Sequence, residues 1–346
     1  MKALVYGGPG EKYWTDVPDP AIEDPRDAII KVDTVTICGT DLHILAGDVP
    51  SVEPGRVLGH EAVGTVVEVG TGVTGLSPGD RVLASCISAC GTCRYCRHGR
   101  YGQCRNGGGW ILGHRINGVQ AQYARIPFAD LSTHKLAPGI PDEAAVLLAD
   151  ILPTSYEVGV LNGRVRPGDT VALVGVGPIG LAAILGARLY SPSHIVAIDK
   201  ADSRLQAAKQ LGADVVVQPD SDPLEVVRAL TDGLGADVVL EAVGTPETFE
   251  LCTTLVRPGG RVANIGVHGR PAMLHLEDLW IRNVTITTGL VDTYSTPTLL
   301  RMLGEGQLDV GRMVTHRFGP DDILEAYDVF AKPAQSGALK VVLSLH

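Results

Sequence analysis

The run Gly175-Val176-Gly177-Pro178-Ile179-Gly180 constrains this chain more than any other feature. An apolar stretch at 170–174 leads into it, and a helix-periodic stretch at 179–189 leads out. A strand, a glycine turn and a helix in that order form a unit whose turn can cradle a pyrophosphate. Gly175 permits the tight turn, Gly177 lets the backbone approach a phosphate, and Gly180 lets the helix pack on the sheet. Pro178 suits the first helical turn, where its missing N–H is not needed. Asp199 closes the next predicted strand, 194–198, at about the interval the motif requires. A carboxylate there accepts hydrogen bonds from adenosine ribose hydroxyls and repels a 2′-phosphate. A glycine turn that merely packs a helix is the competing reading. Strand, turn, helix and acid all in place count against it.

The same rhythm continues downstream. Predicted helices at 203–211, 223–230 and 245–256 alternate with strands at 215–217, 236–240, 260–265 and 284–288. Such alternation implies an α/β fold with a doubly wound parallel sheet. Residues 1–150 read differently. Short alternating stretches at 28–35, 64–69 and 81–84, separated by turns such as Ser77-Pro78-Gly79-Asp80, predict a mainly antiparallel β domain. A last helix, 320–330, and an apolar strand, 338–345, are expected to return to that first domain.

Composition narrows the function. The net charge of −10 and an aromatic content of 5% argue against a nucleic-acid coat or a base-stacking platform. With 45% hydrophobic and 20% charged residues, the chain can bury a full core. The most apolar stretches, 171–176 and 180–187, fall short of the ~18 residues a membrane span needs. The opening Met1–Gly7 reads as a strand rather than a signal peptide. A cytoplasmic location is therefore expected, with no membrane partner. Thiols stay reduced there, so the seven cysteines call for an explanation other than disulfides.

Four of them, Cys90-x2-Cys93-x2-Cys96-x7-Cys104, form a compact set of soft ligands. Four thiolates with no free position make a closed tetrahedral zinc site. Arg94, Arg97, His98, Arg100 and Arg105 lie among them and can offset its negative charge. A zinc ribbon gripping nucleic acid is the sharp alternative, opposed by the acidic charge and the dinucleotide unit, and an iron–sulfur cluster also ranks below zinc. Cys38 and His60 stand apart and can be two ligands of a second, open zinc site, with Asp150 as the candidate third. Each taken alone has a plainer reading: a buried thiol, a core histidine, a helix cap. Cys252 reads as core.

Cys38-Gly39-Thr40-Asp41-Leu42-His43, Gly59-His60-Glu61-x2-Gly64, Gly79-Asp80-Arg81-Val82, the four-cysteine lobe and the Gly175–Gly180 turn keep their order across the whole chain. Together they resemble the zinc-dependent alcohol dehydrogenases of the medium-chain dehydrogenase/reductase superfamily. Asp150 stands where many members have cysteine and resembles the bacterial secondary-alcohol branch, as do Ile37–Leu45 and Gly109-Trp110. The resemblance implies a GroES-like catalytic domain (1–153 and 292–346) with a zinc-binding lobe, and a Rossmann domain (154–291). It implies two zinc ions per chain, NAD in preference to NADP, an alcohol or ketone substrate, and a homodimer or homotetramer.

The resemblance also carries residue roles. Cys38, His60 and Asp150 hold the catalytic zinc, with Glu61 behind it, and Asp41 orients the histidine. Thr40 takes the substrate proton and His43 ends the relay to solvent. Lys200 and Arg204 stand beside Asp199 at the ribose. Thr154 and the backbone of Ile265, Gly266 and Val267 meet the nicotinamide. Cys86, Ile87 and Trp110 line the substrate pocket. A polyol or threonine dehydrogenase of the same superfamily and a non-enzymatic zinc protein on this fold are the competing functions.

Overall fold

The computed structural model describes residues 1–345 and divides into two compact units, Met1–Pro153 with Val291–His346, and Thr154–Leu290.

In the first unit, a seven-stranded sheet carries the core. Its order is Val314–Phe318, Lys340–Ser344, Ala28–Thr36, Ala62–Val69, Arg81–Ala84, Thr133–Lys135, with Tyr123–Ile126 also pairing with Ala28–Thr36. Every pair is antiparallel except Val314–Phe318 with Lys340–Ser344. The C-terminal strand does return to this unit, Val342 opposite Thr36 and Leu343 opposite Val35. Alternation places Ile30 and Val32, and an irregularity between Val32 and Thr34 then brings Val35, into the same buried cluster as Val82, Val341 and Leu343. A hairpin, Lys2–Gly8 with Glu11–Asp16, packs alongside.

The second unit is a six-stranded parallel sheet in the order Val215–Val217, His194–Ile198, Thr170–Val174, Ala236–Glu241, Val256–Asn264, Thr285–Thr288. This is the doubly wound order. The chain reverses direction across the sheet beside Thr170–Val174, where ligands of such sheets bind. The first two strands and the glycine turn fall where the sequence places them. Val256–Asn264 starts earlier than predicted. Pro258-Gly259-Gly260 looks like a turn, but the strand absorbs it as an irregularity between the pairs Ala236–Val256 and Val238–Arg261.

Asp150 does not stand at the end of a helix, as a plain cap would. The helical run Asp142–Leu161 continues past it, and Asp150 sits at a break between Val146–Leu148 and Ile151–Thr154. Pro153 explains the break. It has no N–H to give the carbonyl of Ala149, and that carbonyl instead accepts the backbone N–H of Cys86 at 3.1 Å. The run is long and apolar enough to cross a membrane, contrary to the sequence estimate, but most of it is buried inside the protein as a core helix would be. Helices Gly39–Ala46 and Thr296–Gly304 were also not anticipated.

Candidate active site and metal centres

Cys38 ends an extended segment and stands at the N-cap of helix Gly39–Ala46. Its backbone N–H donates to Asp41 Oδ2 at 2.9 Å, which ties the first helical turn to the ligand loop. His60 follows Gly59, whose φ of +91° suits only glycine. A Cβ on Gly59 would also lie 2.5 Å from Gln120 Cγ. These two strand ends and the break at Asp150 bring three ligand atoms together. Cys38 Sγ lies 3.5 Å and His60 Nε2 3.3 Å from the same Asp150 oxygen, and all three ligand atoms fall within 4.8 Å of one another.

This donor set fits a divalent cation. Burial, and then the charge of Asp150, push the Cys38 thiol up. Burial opposes charge on His60, but hydrogen bonds to Asp150 and Cys38 outweigh it and raise its pKa well above 6.5. Two buried groups and a partly buried carboxylate competing for protons are the arrangement a cation relieves, because it lets thiolate and carboxylate stay charged beside a neutral imidazole.

The surrounding residues take distinct places. Asp41 is buried, and its Oδ1 faces His60 Nδ1 at 3.8 Å. Glu61 is fully buried and bonded to Lys340 Nζ at 2.8 Å. Burial pushes Glu61 up, against the pull of Lys340. Thr40 Oγ1 lies 3.7 Å from Cys38 Sγ. His43, one turn along the same helix, is half-exposed and bonds Asp48 Oδ2 through Nδ1 at 2.8 Å. Cys86 Sγ is 3.6 Å from Asp150 Oδ1. Ile87 is buried beside it in the chain. The Trp110 ring stacks on His114 and stands edge-on to His60 at 6.4 Å.

The second cluster is the lobe. Cys90, Cys93, Cys96 and Cys104 also place their sulfurs within 4.8 Å of one another, and all are free thiols. The N–H groups of Cys93 and Cys96 point at the sulfurs of Cys90 and Cys93. Against the opposing effect of burial, backbone hydrogen bonds from Cys93 and Thr92 bring Cys90 down to about 6, while burial pushes Cys96 up to about 12. N–H groups aimed at sulfur stabilise thiolate, the form a metal binds. Near the lobe, Asp292 accepts from Gly102 N–H at 2.9 Å.

In the second unit, Gly175 has φ +91°, and a Cβ there would lie 2.3 Å from Val243. A Cβ on Gly180 would lie 2.0 Å from the Gly175 carbonyl oxygen. One on Gly177 would meet only the Arg204 guanidinium, at 3.9 Å. The turn is thus closed towards the sheet and open in front of the N-terminus of helix Pro178–Arg188, as a phosphate cradle requires. Asp199 braces it by accepting from Val176 N–H and Ala201 N–H, both at 2.9 Å, with Arg204 Nη1 3.8 Å away. Lys200 is exposed beside it, and Ile179 lies in the first helical turn. Ile265 and Gly266 follow strand Val256–Asn264, and Val267 is largely exposed. Thr154 ends the helix Ile151–Thr154.

Sequence reasoning missed Asp48, Gln120, Tyr327 and Lys340. Asp48, Gln120 and Lys340 bond residues that the sequence did single out, His43, Asp41 and Glu61, and Tyr327 bonds Gln120 in turn. Two signals were available: a lysine opening an apolar strand, and a glutamine between the apolar Val119 and Ala121.

The comparisons agree with this geometry. Residues 24–138 match the family model described as an alcohol dehydrogenase GroES-like domain, and residues 178–305 match that of a zinc-binding dehydrogenase. An alcohol dehydrogenase of Cupriavidus necator is 38% identical, over 100% of this chain and 99% of its own. The solved structure of zinc dependent alcohol dehydrogenase 2 from Streptococcus pneumonia, an apo form, superposes with a TM-score of 0.95 at 47% identity, over 99% of this chain and 98% of that one. An E. coli CFT073 protein described as a short chain alcohol dehydrogenase, complexed with cofactor NADH, superposes with a TM-score of 0.90 at 26% identity, over 100% and 99%. With its GroES-like and dinucleotide-binding units and its two ligand clusters, this chain belongs to the zinc-dependent alcohol dehydrogenases of the medium-chain dehydrogenase/reductase superfamily, oxidoreductases acting on CH–OH groups.

Proposed function

We propose that the protein interconverts small secondary alcohols and their ketones with NAD, and that Cys38, His60 and Asp150 hold the catalytic zinc. The single observation that carries the reading is the convergence of those three ligand atoms beside Cys86 and the edge of Trp110. When bound, zinc supplies a Lewis acid that makes a substrate hydroxyl more acidic, and NAD supplies the hydride acceptor. The chain's own residues then govern the proton. Thr40, beside Cys38, accepts it from the substrate hydroxyl and passes on its own. His43, three residues along the helix and held by Asp48, delivers it to solvent.

Apolar walls at Cys86, Ile87 and Trp110 suit an alkyl group on each side of the carbinol carbon. A polyol would bury hydroxyls against them, each costing ~1–3 kcal/mol if left unpaired. Asp199 favours NAD, because a 2′-phosphate would meet its carboxylate. The lobe cysteines would hold the second zinc, which has no open position and a structural role.

We also infer a homodimer. Trp280 (73% exposed), Ile281 (68%), Leu276 (61%) and Met273 (60%) crowd one segment of the second unit, and the neighbouring strand Thr285–Thr288 is the edge of its sheet. Such patches and edges are ordinarily covered by a partner.

The test is kcat/KM with NAD for 2-butanol, ethanol, sorbitol and L-threonine under one set of conditions. The reading expects 2-butanol to lead, with ethanol lower by roughly the 10–200-fold that one unfilled group costs. A lead for sorbitol or threonine replaces it with a polyol or amino-alcohol dehydrogenase.

A further inference from the structure

A chain of buried polar groups runs inward from the metal ligands to a helix far along the sequence. His60 presents Nε2 to Asp150, which leaves Nδ1 facing Asp41 Oδ1 at 3.8 Å. The Asp41 Oδ1 atom is buried and has no hydrogen-bond partner among the described residues. It is therefore a free acceptor whose facing donor is the imidazole. The other oxygen, Oδ2, is occupied by Cys38 N–H at 2.9 Å and by Gln120 Nε2 at 3.3 Å.

Gln120 has no exposure to solvent, and its amide is filled on both sides. Its Nε2 also donates to the Thr36 carbonyl at 3.4 Å, and its Oε1 accepts from the Tyr327 hydroxyl at 2.7 Å. This pattern leaves one orientation for the amide. Flipped, Gln120 would turn a carbonyl oxygen on the Asp41 carboxylate and on the Thr36 carbonyl, three oxygens together with no hydrogen between them. Tyr327 is among the largest fully buried side chains. Burial and the charge of Asp41 push its pKa well up, so the phenol keeps its proton and remains a donor.

The same glutamine also packs on the ligand segment. Its Cγ fills the space a Cβ on Gly59 would need, against the peptide just before His60. Gln120 thus touches the metal site twice, once through the carboxylate facing the histidine and once through the backbone that carries it.

We propose that Gln120 and Tyr327 are positioning residues for the catalytic zinc: the Tyr327–Gln120 pair locks the Asp41 carboxylate against Nδ1 of His60 and so fixes the tautomer and ring direction that present Nε2 to the metal. The inference rests on the reading that Cys38, His60 and Asp150 hold that zinc. Neither residue touches substrate or cofactor. The lobe zinc lies on other elements and serves as an internal control.

The experiment follows zinc release from the full-length zinc-loaded protein to a chromogenic chelator, 4-(2-pyridylazo)resorcinol, in two kinetic phases. Losing an outer partner of a metal-bound histidine commonly costs 10–100-fold in metal affinity. One link further out, Gln120→Leu is expected to speed the catalytic phase about tenfold and Tyr327→Phe roughly threefold, with the lobe phase unchanged. In both variants, cobalt(II) placed in the catalytic site is expected to show shifted visible bands, a signature that looser packing elsewhere does not produce. Should Gln120→Leu not fold, Tyr327→Phe, which deletes one oxygen atom, carries the test. An unchanged catalytic phase, or equal acceleration of both phases, overturns the inference and leaves Gln120 and Tyr327 as core packing. An unmodified protein that releases only lobe zinc overturns the catalytic-zinc reading, and this inference with it.

Discussion

The Asp199 carboxylate braces the glycine turn and underlies the proposed preference for NAD. It accepts from Val176 N–H inside the glycine turn and from Ala201 N–H at the start of the next helix, and it holds the Arg204 guanidinium 3.8 Å away. A 2′-phosphate would meet that charge, and like charges facing each other across an interface cost several kcal/mol. Asp199→Gly removes the clash and leaves Lys200 and Arg204 to receive a phosphate. The ratio of kcat/KM for NADP over NAD is expected to rise by at least about tenfold, equivalent to ~1.4 kcal/mol. A ratio that does not move would show that the carboxylate serves the turn alone. The Glu61–Lys340 pair is of another kind. Both side chains are at most 1% exposed, and each is the other's counter-charge. A buried pair of this sort matters chiefly because removing one member strands the other.

At the scale of elements, strand Thr133–Lys135 has a built-in response to acid. Burial alone holds His134 down at about 4, and its Nε2 has no hydrogen-bond partner among the described residues. The unfolded chain takes up a proton near pH 6.5, whereas the folded one does so only near 4. The unfolded state therefore binds more protons in that window. The stability from a neutral His134 is full above about pH 6.5 and is lost as pH falls towards 4, on the order of a few kcal/mol. Urea denaturation at pH 7 and pH 5 is expected to show a larger loss for the unmodified protein than for His134→Gln. Equal losses would place the acid sensitivity elsewhere.

Elements were legible where one local signal decided them. Strand Thr170–Val174 is an uninterrupted apolar run bounded by the glycine turn, and its sheet partner His194–Ile198 reads the same way. The four lobe cysteines were legible from their spacing, whereas Cys38, His60 and Asp150, each with a plainer reading alone, were legible as a set only through the family resemblance. The break at Asp150 was not, because Pro153 acts through a carbonyl that finds its donor in Cys86, far back in the sequence. Lys340 and Glu61 are 279 residues apart, and Tyr327 and Gln120 are 207 apart. No periodicity within either segment encodes such a meeting. It follows from the C-terminal strand pairing with Ala28–Thr36 and from helix Ile323–Ala331 packing its Tyr327 face into the same core.

For the molecule as a whole, assembly and metal content are the properties to measure. The apolar segment of the second unit predicts a dimer, and Ile281→Asp with Trp280→Arg is expected to halve the mass seen by light scattering while leaving NADH binding intact. A mass unchanged by the double variant would place any interface elsewhere. On the proposed function, turnover depends on zinc held by Cys38, His60 and Asp150, separately from the zinc of the lobe. Zinc content and turnover measured together during stepwise chelation test it most directly. Two zinc ions per chain are expected at the start, with activity falling in proportion to the loss of the first and the protein still folded with the lobe zinc in place. Full turnover in chains that keep only the lobe zinc would contradict it.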